Sequence, residues 1–174
     1  MAIDQWYVGE PLSADELNTY APLGVVAQGN RGSSKTGITS LVGYLRVDGV
    51  PLVNGRAYMV VAQNLRLAIS GTTPGTSDHF KMTITYDGTG SAAGTGSTEI
   101  GRSEFSPIAS GTADDTMPPI IGWVLPSADV TGSFLLTAQR TAGVATYDVQ
   151  ADTGGIWLTV IDMGAAVADT GVDI

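Results

Sequence analysis

Few side chains in this sequence could carry a reaction. A nucleophilic serine needs a base, and His79, in the stretch TSDHFKM, is the single histidine of the 174-residue chain. Asp78 precedes it directly, but neighbours in a strand point to opposite faces, so the pair predicts no dyad and His79 reads as an exposed strand end. There is no Gly-x-Ser-x-Gly elbow, and GTGSTEIG lacks the apolar strand before it and the helix after it. Glycoside hydrolysis needs two carboxylates at a fixed separation; Asp114 with Asp115, Glu99 with Glu104, and Asp148 with Asp152 all read as solvated charges. SGTADDTMPP lacks the alternating oxygen ligands and closing Glu of a calcium loop. The run GTGSAAGTGS has no Lys and opens no helix, so it reads as a mobile loop or a flat contact surface rather than a phosphate cradle. With no Cys, thiolate zinc sites, disulfides and cysteine nucleophiles are excluded. The expectation is a protein that is not an enzyme and holds neither cofactor nor metal.

The elements around these residues are strands. Charged residues make up 14% of the chain and Gly 23 of its positions, a mixture that favours short strands joined by tight turns. LVGYLRVDG, RAYMVVAQNLRLAIS, FKMTITYDG, STEIGRSEF, IIGWVLPS, SFLLTAQRT, ATYDVQAD and IWLTVIDMG follow one another with Gly, Pro, Asn and Asp at the breaks. In the second of these, Met59, Val61, Leu65, Leu67 and Ile69 are placed on one face of a single long strand; in the third, Met82, Ile84 and Tyr86 oppose Lys81, Thr83 and Thr85. About eight such strands without intervening helices predict an all-β fold, an antiparallel β-sandwich, with an eight-stranded jelly roll as the expected closure and an immunoglobulin-like sandwich as the alternative. The sandwich is expected over 37–174, with a surface tail at about 165–174.

In front of it, PLSADELNTYAP predicts a short helix over about 13–21. Ser13 and Glu16 form a capping box, Leu12 and Leu17 a hydrophobic staple, and Pro22 ends it. VVAQGNRGSSKTGITS then reads as an extended arm, so residues 1–36 are taken as an N-terminal docking arm whose anchors are Trp6, Tyr7, Leu12, Leu17 and Tyr20. Trp123 and Trp157 lie in apolar strands and read as core or subunit-interface residues, with glycan stacking as the functional alternative. The net charge of −9 and the scattered Lys and Arg argue against nucleic acid as a partner. No run is long and apolar enough for a membrane span and no signal-peptide pattern is present, so a soluble protein made in the cytoplasm is expected.

The opening residues Trp6, Gly9, Leu12, Ser13, Ala14, Asp15, Leu17 and Asn18 resemble the start of virion proteins of actinobacteriophages, particularly minor tail and fibre proteins. NGRAYMVVAQNLRLAIS, the connector before STEIGR, and IWLTVIDMGAAVADTG are similar in style to β-sandwich modules of such proteins. The resemblance implies a virion structural protein, made in the host cytoplasm, that attaches to other tail or capsid proteins by its N-terminal arm. A minor tail, capsid decoration or head-fibre role is implied, with a carbohydrate-binding host-attachment module as the alternative. It further implies a homotrimer resembling tumour-necrosis-factor-like heads, in which one apolar sheet packs about a three-fold axis. Ile156, Leu158 and Val160 alternating with Trp157 and Ile161 give one strand two apolar faces, as such packing requires.

Overall fold

The computed structural model describes residues 23–70, 77–106, 115–151 and 154–166. The helix expected at 13–21 and the anchors Trp6, Tyr7, Leu12, Leu17 and Tyr20 lie outside the described residues. Within them the chain forms strands β1 (Gly24–Arg31), β2 (Lys35–Ile38), β3 (Val42–Leu52), β4 (Arg56–Gln63), β5 (Arg66–Ser70), β6 (His79–Asp87), β7 (Thr98–Phe105), β8 (Asp115–Thr116), β9 (Ile120–Val124), β10 (Val130–Ala142), β11 (Thr146–Gln150) and β12 (Ile156–Ala165).

Eight of the strands form two antiparallel sheets, ordered β1-β12-β4-β9 and β3-β10-β6-β7. Each sheet takes its strands alternately from the two halves of the chain, which is the jelly-roll connection. The four short strands form a third sheet, β2-β11-β5-β8. Each of them adjoins in sequence a strand of the first sheet, and the two orders correspond position by position. The third sheet is therefore the first sheet continued past a bend.

Asn64 shows how the bend is made. Its φ of 59° is the left-handed conformation that Asn tolerates better than most residues, and the Met117 amide donates to the Leu65 carbonyl at 2.8 Å beside it. The turn shifts the side-chain phase by one residue. Tyr58, Val60 and Ala62 face the core before it, and Leu65, Leu67 and Ile69 after it. The single long strand expected from RAYMVVAQNLRLAIS is thus two strands, and Met59 and Val61 sit on the opposite side from the one predicted.

A second correction concerns the arm. Residues 24–31 pair along β12 from Gly24↔Asp162 to Arg31↔Ile156, so this stretch belongs to the sandwich rather than to a linker ending at 36. Its poor periodicity has a cause: the register slips between Val25 and Ala27, and a bulge destroys a period of two. With β1 included and ATYDVQ displaced into the third sheet as β11, the two main sheets still number eight strands together.

The core lies between the sheets. Val60, Leu158 and Val160 of the first oppose Met82, Ile84, Phe134 and Leu136 of the second, all essentially inaccessible. The third sheet closes one end, with the Tyr147 ring 4.8 Å from that of Phe80. Each fully buried large apolar side chain contributes about 1.5–3 kcal/mol. Both edges of the sandwich are drawn together at glycines. A Cβ on Gly29 of β1 would stand 2.7 Å from Val47 of β3, and one on Gly101 of β7 would stand 2.6 Å from the Ile121 carbonyl oxygen of β9. Only glycine allows strands to approach this closely.

Candidate functional site

The two outward faces of the sandwich are built from opposite chemistry. On β6 and β10 the side chains turned away from the core include Lys81, Thr83, Thr85, Ser133, Leu135 and Thr137. Glu99, Arg102 and Glu104 of β7 join them, linked by Lys81–Glu99 at 3.5 Å and Arg102–Glu104 at 3.8 Å. Four hydroxyl-bearing residues of this face, Thr83, Thr85, Ser133 and Thr137, are nevertheless buried. The connection between β6 and β7, the glycine-rich run of residues 88–97, accounts for part of this by folding back over the sheet. The Ala93 amide donates to the Ser133 hydroxyl at 2.8 Å, the Thr85 hydroxyl donates to the Gly94 carbonyl at 3.1 Å, and Ser133 donates to the Asp48 carboxylate. The Thr83 and Thr137 hydroxyls bond to each other across β6 and β10. A segment expected to be a mobile loop or a contact surface thus forms a hydrogen-bonded cover.

The outward face of the first sheet has no such cover among the described residues. Its registered rows run Val25↔Ile161↔Met59↔Trp123 and Gln28↔Thr159↔Val61↔Ile121. Trp123 is 50% exposed, Ile121 52% and Val25 60%, while Leu125 and Met163 extend the patch at its end. None of the side chains alternating outward along β1, β12, β4 and β9 is charged. The charge of this sheet is held at its inner side. Arg56 grips Asp162 through two hydrogen bonds of 2.7 and 2.8 Å, and the Gly164 amide adds a third to the same carboxylate at 2.8 Å. The carboxylate holds the Arg56 guanidinium above its ordinary pKa, chiefly through this hydrogen bonding.

The two tryptophans expected at an interface both belong to this face, in different settings. Trp123 stands among the apolar rows. Trp157 lies further along the sheet in the row Asn30↔Trp157↔Gln63, partly buried, with its indole N–H donating to the Gly154 carbonyl at 2.8 Å. Sequence reasoning gave the last strand two apolar faces, one of them carrying Trp157 and Ile161, without choosing which faces outward, and it missed Met59 and Ile121 as outward residues. The signal was present in both runs: YMVVA and IIGWV are apolar at consecutive positions, which a strand with one solvated face does not need.

The residues considered for chemistry are dispersed. Asp78 is buried and accepts from the Ala145 amide at 2.8 Å, whereas His79 is exposed and its Nδ1 shares a 2.6 Å hydrogen bond with the Ser106 hydroxyl. The serine and imidazole meet, and the adjacent carboxylate points away, as strand alternation predicted. Asp148 accepts from the Gly37 amide and the Ser70 hydroxyl, which fixes β11 to its neighbours. Asp114 and Asp152 lie outside the described residues. No group of three or more His, Asp or Glu able to hold a metal occurs among the described residues.

No family model matches the chain, and no curated protein matches it. Among solved structures the chain is similar to the Eiger TNF of S. frugiperda, with 13% identity, a TM-score of 0.40, and coverage of 86% of this chain and 99% of that one. It is also similar to the CBM22-1-GH10 modules of the Clostridium thermocellum xylanase 10B complexed with xylohexaose, at 14% identity, a TM-score of 0.36, and 85% of this chain against 30% of that one. An arabinose-bound GH51 α-L-arabinofuranosidase aligns at 12% identity and a TM-score of 0.33, over 89% of this chain and 25% of its own length.

Proposed function

We propose that the protein is a structural component of a phage virion, a minor tail or capsid decoration protein, that self-associates as a homotrimer through the outward face of its first sheet. The observation carrying the self-association is that uncharged apolar face, with Trp123, Ile121 and Val25 at least half exposed. Contiguous apolar surface of this kind is unusual on a monomer and marks a contact site. A second copy of the chain fits it on electrostatic grounds. Each copy carries a net charge of −9, so two copies repel unless they meet where neither presents charge. A face with no charged side chain satisfies that condition for both partners at once. The virion assignment rests on the resemblance of Trp6, Gly9 and the Leu12–Asn18 stretch, and the same segment supplies the docking arm.

Light scattering on the purified chain is expected to give the mass of a trimer, and Met59→Lys and Trp123→Lys are each expected to give a folded monomer. A wild-type monomer, or trimers in both variants, overturns the self-association. The virion role is tested by deleting residues 1–22, a cut that spares β1. The truncated protein is expected to fold and oligomerise yet fail to enter particles, and its incorporation would overturn the arm.

A further inference from the structure

About 13 Å along the strands from the Ile161 row, at the spacing of strand residues, the same face changes character. The row Asn30↔Trp157↔Gln63 sets one indole between two primary amides, and Gln28, bonded to Thr159 at 3.0 Å, and Asn64 flank it. The platform is hydrogen-bonded to the turn before β12. Trp157 and Asn30 both donate to the Gly154 carbonyl, at 2.8 and 3.2 Å, and Asn64 donates to the Gly155 carbonyl at 3.3 Å. Gln63 is exposed, and its amide has no partner among the described residues.

We infer that this row is a binding site for a neutral oligosaccharide. A sugar ring offers a patch of polarised C–H groups, which the electron-rich face of an indole attracts, and a rim of hydroxyls that both donate and accept. Asn and Gln amides match that rim, since each combines an acceptor oxygen with a two-hydrogen donor and needs no counter-charge. The absence of charged side chains on the face among the described residues, with the net charge of −9, disfavours anionic ligands such as phosphates or sialylated and sulfated glycans. Because Trp157, Asn30 and Asn64 are already held in place, binding orders few side chains beyond Gln63. The site lies at the far end of the face from Val25, Met59 and Trp123, and meets the proposed trimer surface only at the Gln28↔Thr159↔Val61↔Ile121 row beside it.

Cellohexaose, xylohexaose, mannohexaose and chitohexaose, with sialyllactose as the anionic control, are titrated into the full chain by calorimetry and indole fluorescence. At least one neutral hexasaccharide is expected to bind with a Kd of roughly a millimolar or tighter. Gln63→Ala, at an exposed position, is expected to weaken that binding about fivefold, the loss of one net hydrogen bond. Trp157→Phe keeps an aromatic face and is expected to bind more weakly, and Trp157→Ala not at all. Met59→Lys, which breaks the apolar rows, is expected to leave the affinity unchanged. Failure of all four neutral sugars to bind overturns the inference, as does binding that survives both Gln63→Ala and Trp157→Ala or a preference for sialyllactose. A monomeric wild-type chain that binds the sugar overturns the trimer alone.

Discussion

The first sheet keeps its ion pair, Arg56 with Asp162, on the inner side and turns Val25, Met59, Trp123 and Ile161 outward. The second sheet packs Met82, Ile84, Phe134 and Leu136 inward, turns hydroxyls and charges outward, and hides part of them beneath its own β6–β7 connection. One face is polar and partly covered by its own chain; the other is largely apolar and without cover among the described residues. Exposure alone therefore does not identify a contact surface; its chemistry does. Ten residues of glycine-rich loop cover a face of small hydroxyls, while among the described residues nothing covers the more hydrophobic face.

The largest expected effect tests whether the charge must stay inside the first sheet. Arg56→Met leaves Asp162 buried without its main partner and is expected to cost about 3–5 kcal/mol in denaturant unfolding. The double change Arg56→Met, Asp162→Leu is expected to recover most of that loss. A single variant within about 1 kcal/mol of wild type would mean that the pair is not what keeps charge off the outer face.

A smaller effect tests the cover. Ala93 is 1% exposed, and Ala93→Asp places a carboxylate against the second sheet next to Ser133, the residue that bonds Asp48. It is expected to destabilise the fold by about 2–3 kcal/mol and to raise hydrogen exchange at the Gly94 and Ser97 amides. Unchanged exchange there would show that the loop contributes nothing as a lid.

The smallest effect is expected at the bent end, where a polar group lies inside without compensation. The Tyr147 hydroxyl is buried with no hydrogen-bond partner, and burial pushes its pKa up to about 12, with Asp78 adding to the shift. Tyr147→Phe is expected to be neutral or to stabilise by about 1 kcal/mol at pH 7. The folded-state pKa is the higher one, so wild-type stability is intact below the unfolded value of about 10 and falls as pH rises towards 12. The Phe variant is expected to lose that alkaline slope, and a slope equal in both proteins would assign it to other groups.

The all-β class, the jelly-roll closure and the faces of FKMTITYDG were legible because alternation in β6 is unbroken: Phe80, Met82 and Ile84 are buried inward and Thr83 and Thr85 lie outward. LVGYLRVDG was harder to read. The β3–β10 register slips twice, so Tyr44 and Val47, three apart, are both buried. The same kind of irregularity hid β1 in an apparent linker and split the strand at Asn64. Of the surface, Trp157 and Ile161 were legible from the doubly apolar last strand. The amide row was not, because Asn30, Gln63 and Trp157 become neighbours only through pairings made across the whole length of the chain.

The glycine contacts at Gly29 and Gly101 bear on how such a protein behaves when crowded. An open sheet edge offers unpaired amides and carbonyls to any passing strand, and that is the route by which β proteins grow into filaments. Here the edge strands of one sheet are drawn against those of the other, β1 beside β3 and β9 beside β7. Those edges are thereby closed to strand addition, and any self-association through the sandwich, such as the proposed trimer, runs through side-chain contact between faces, which can close on itself and stop at a fixed number of copies.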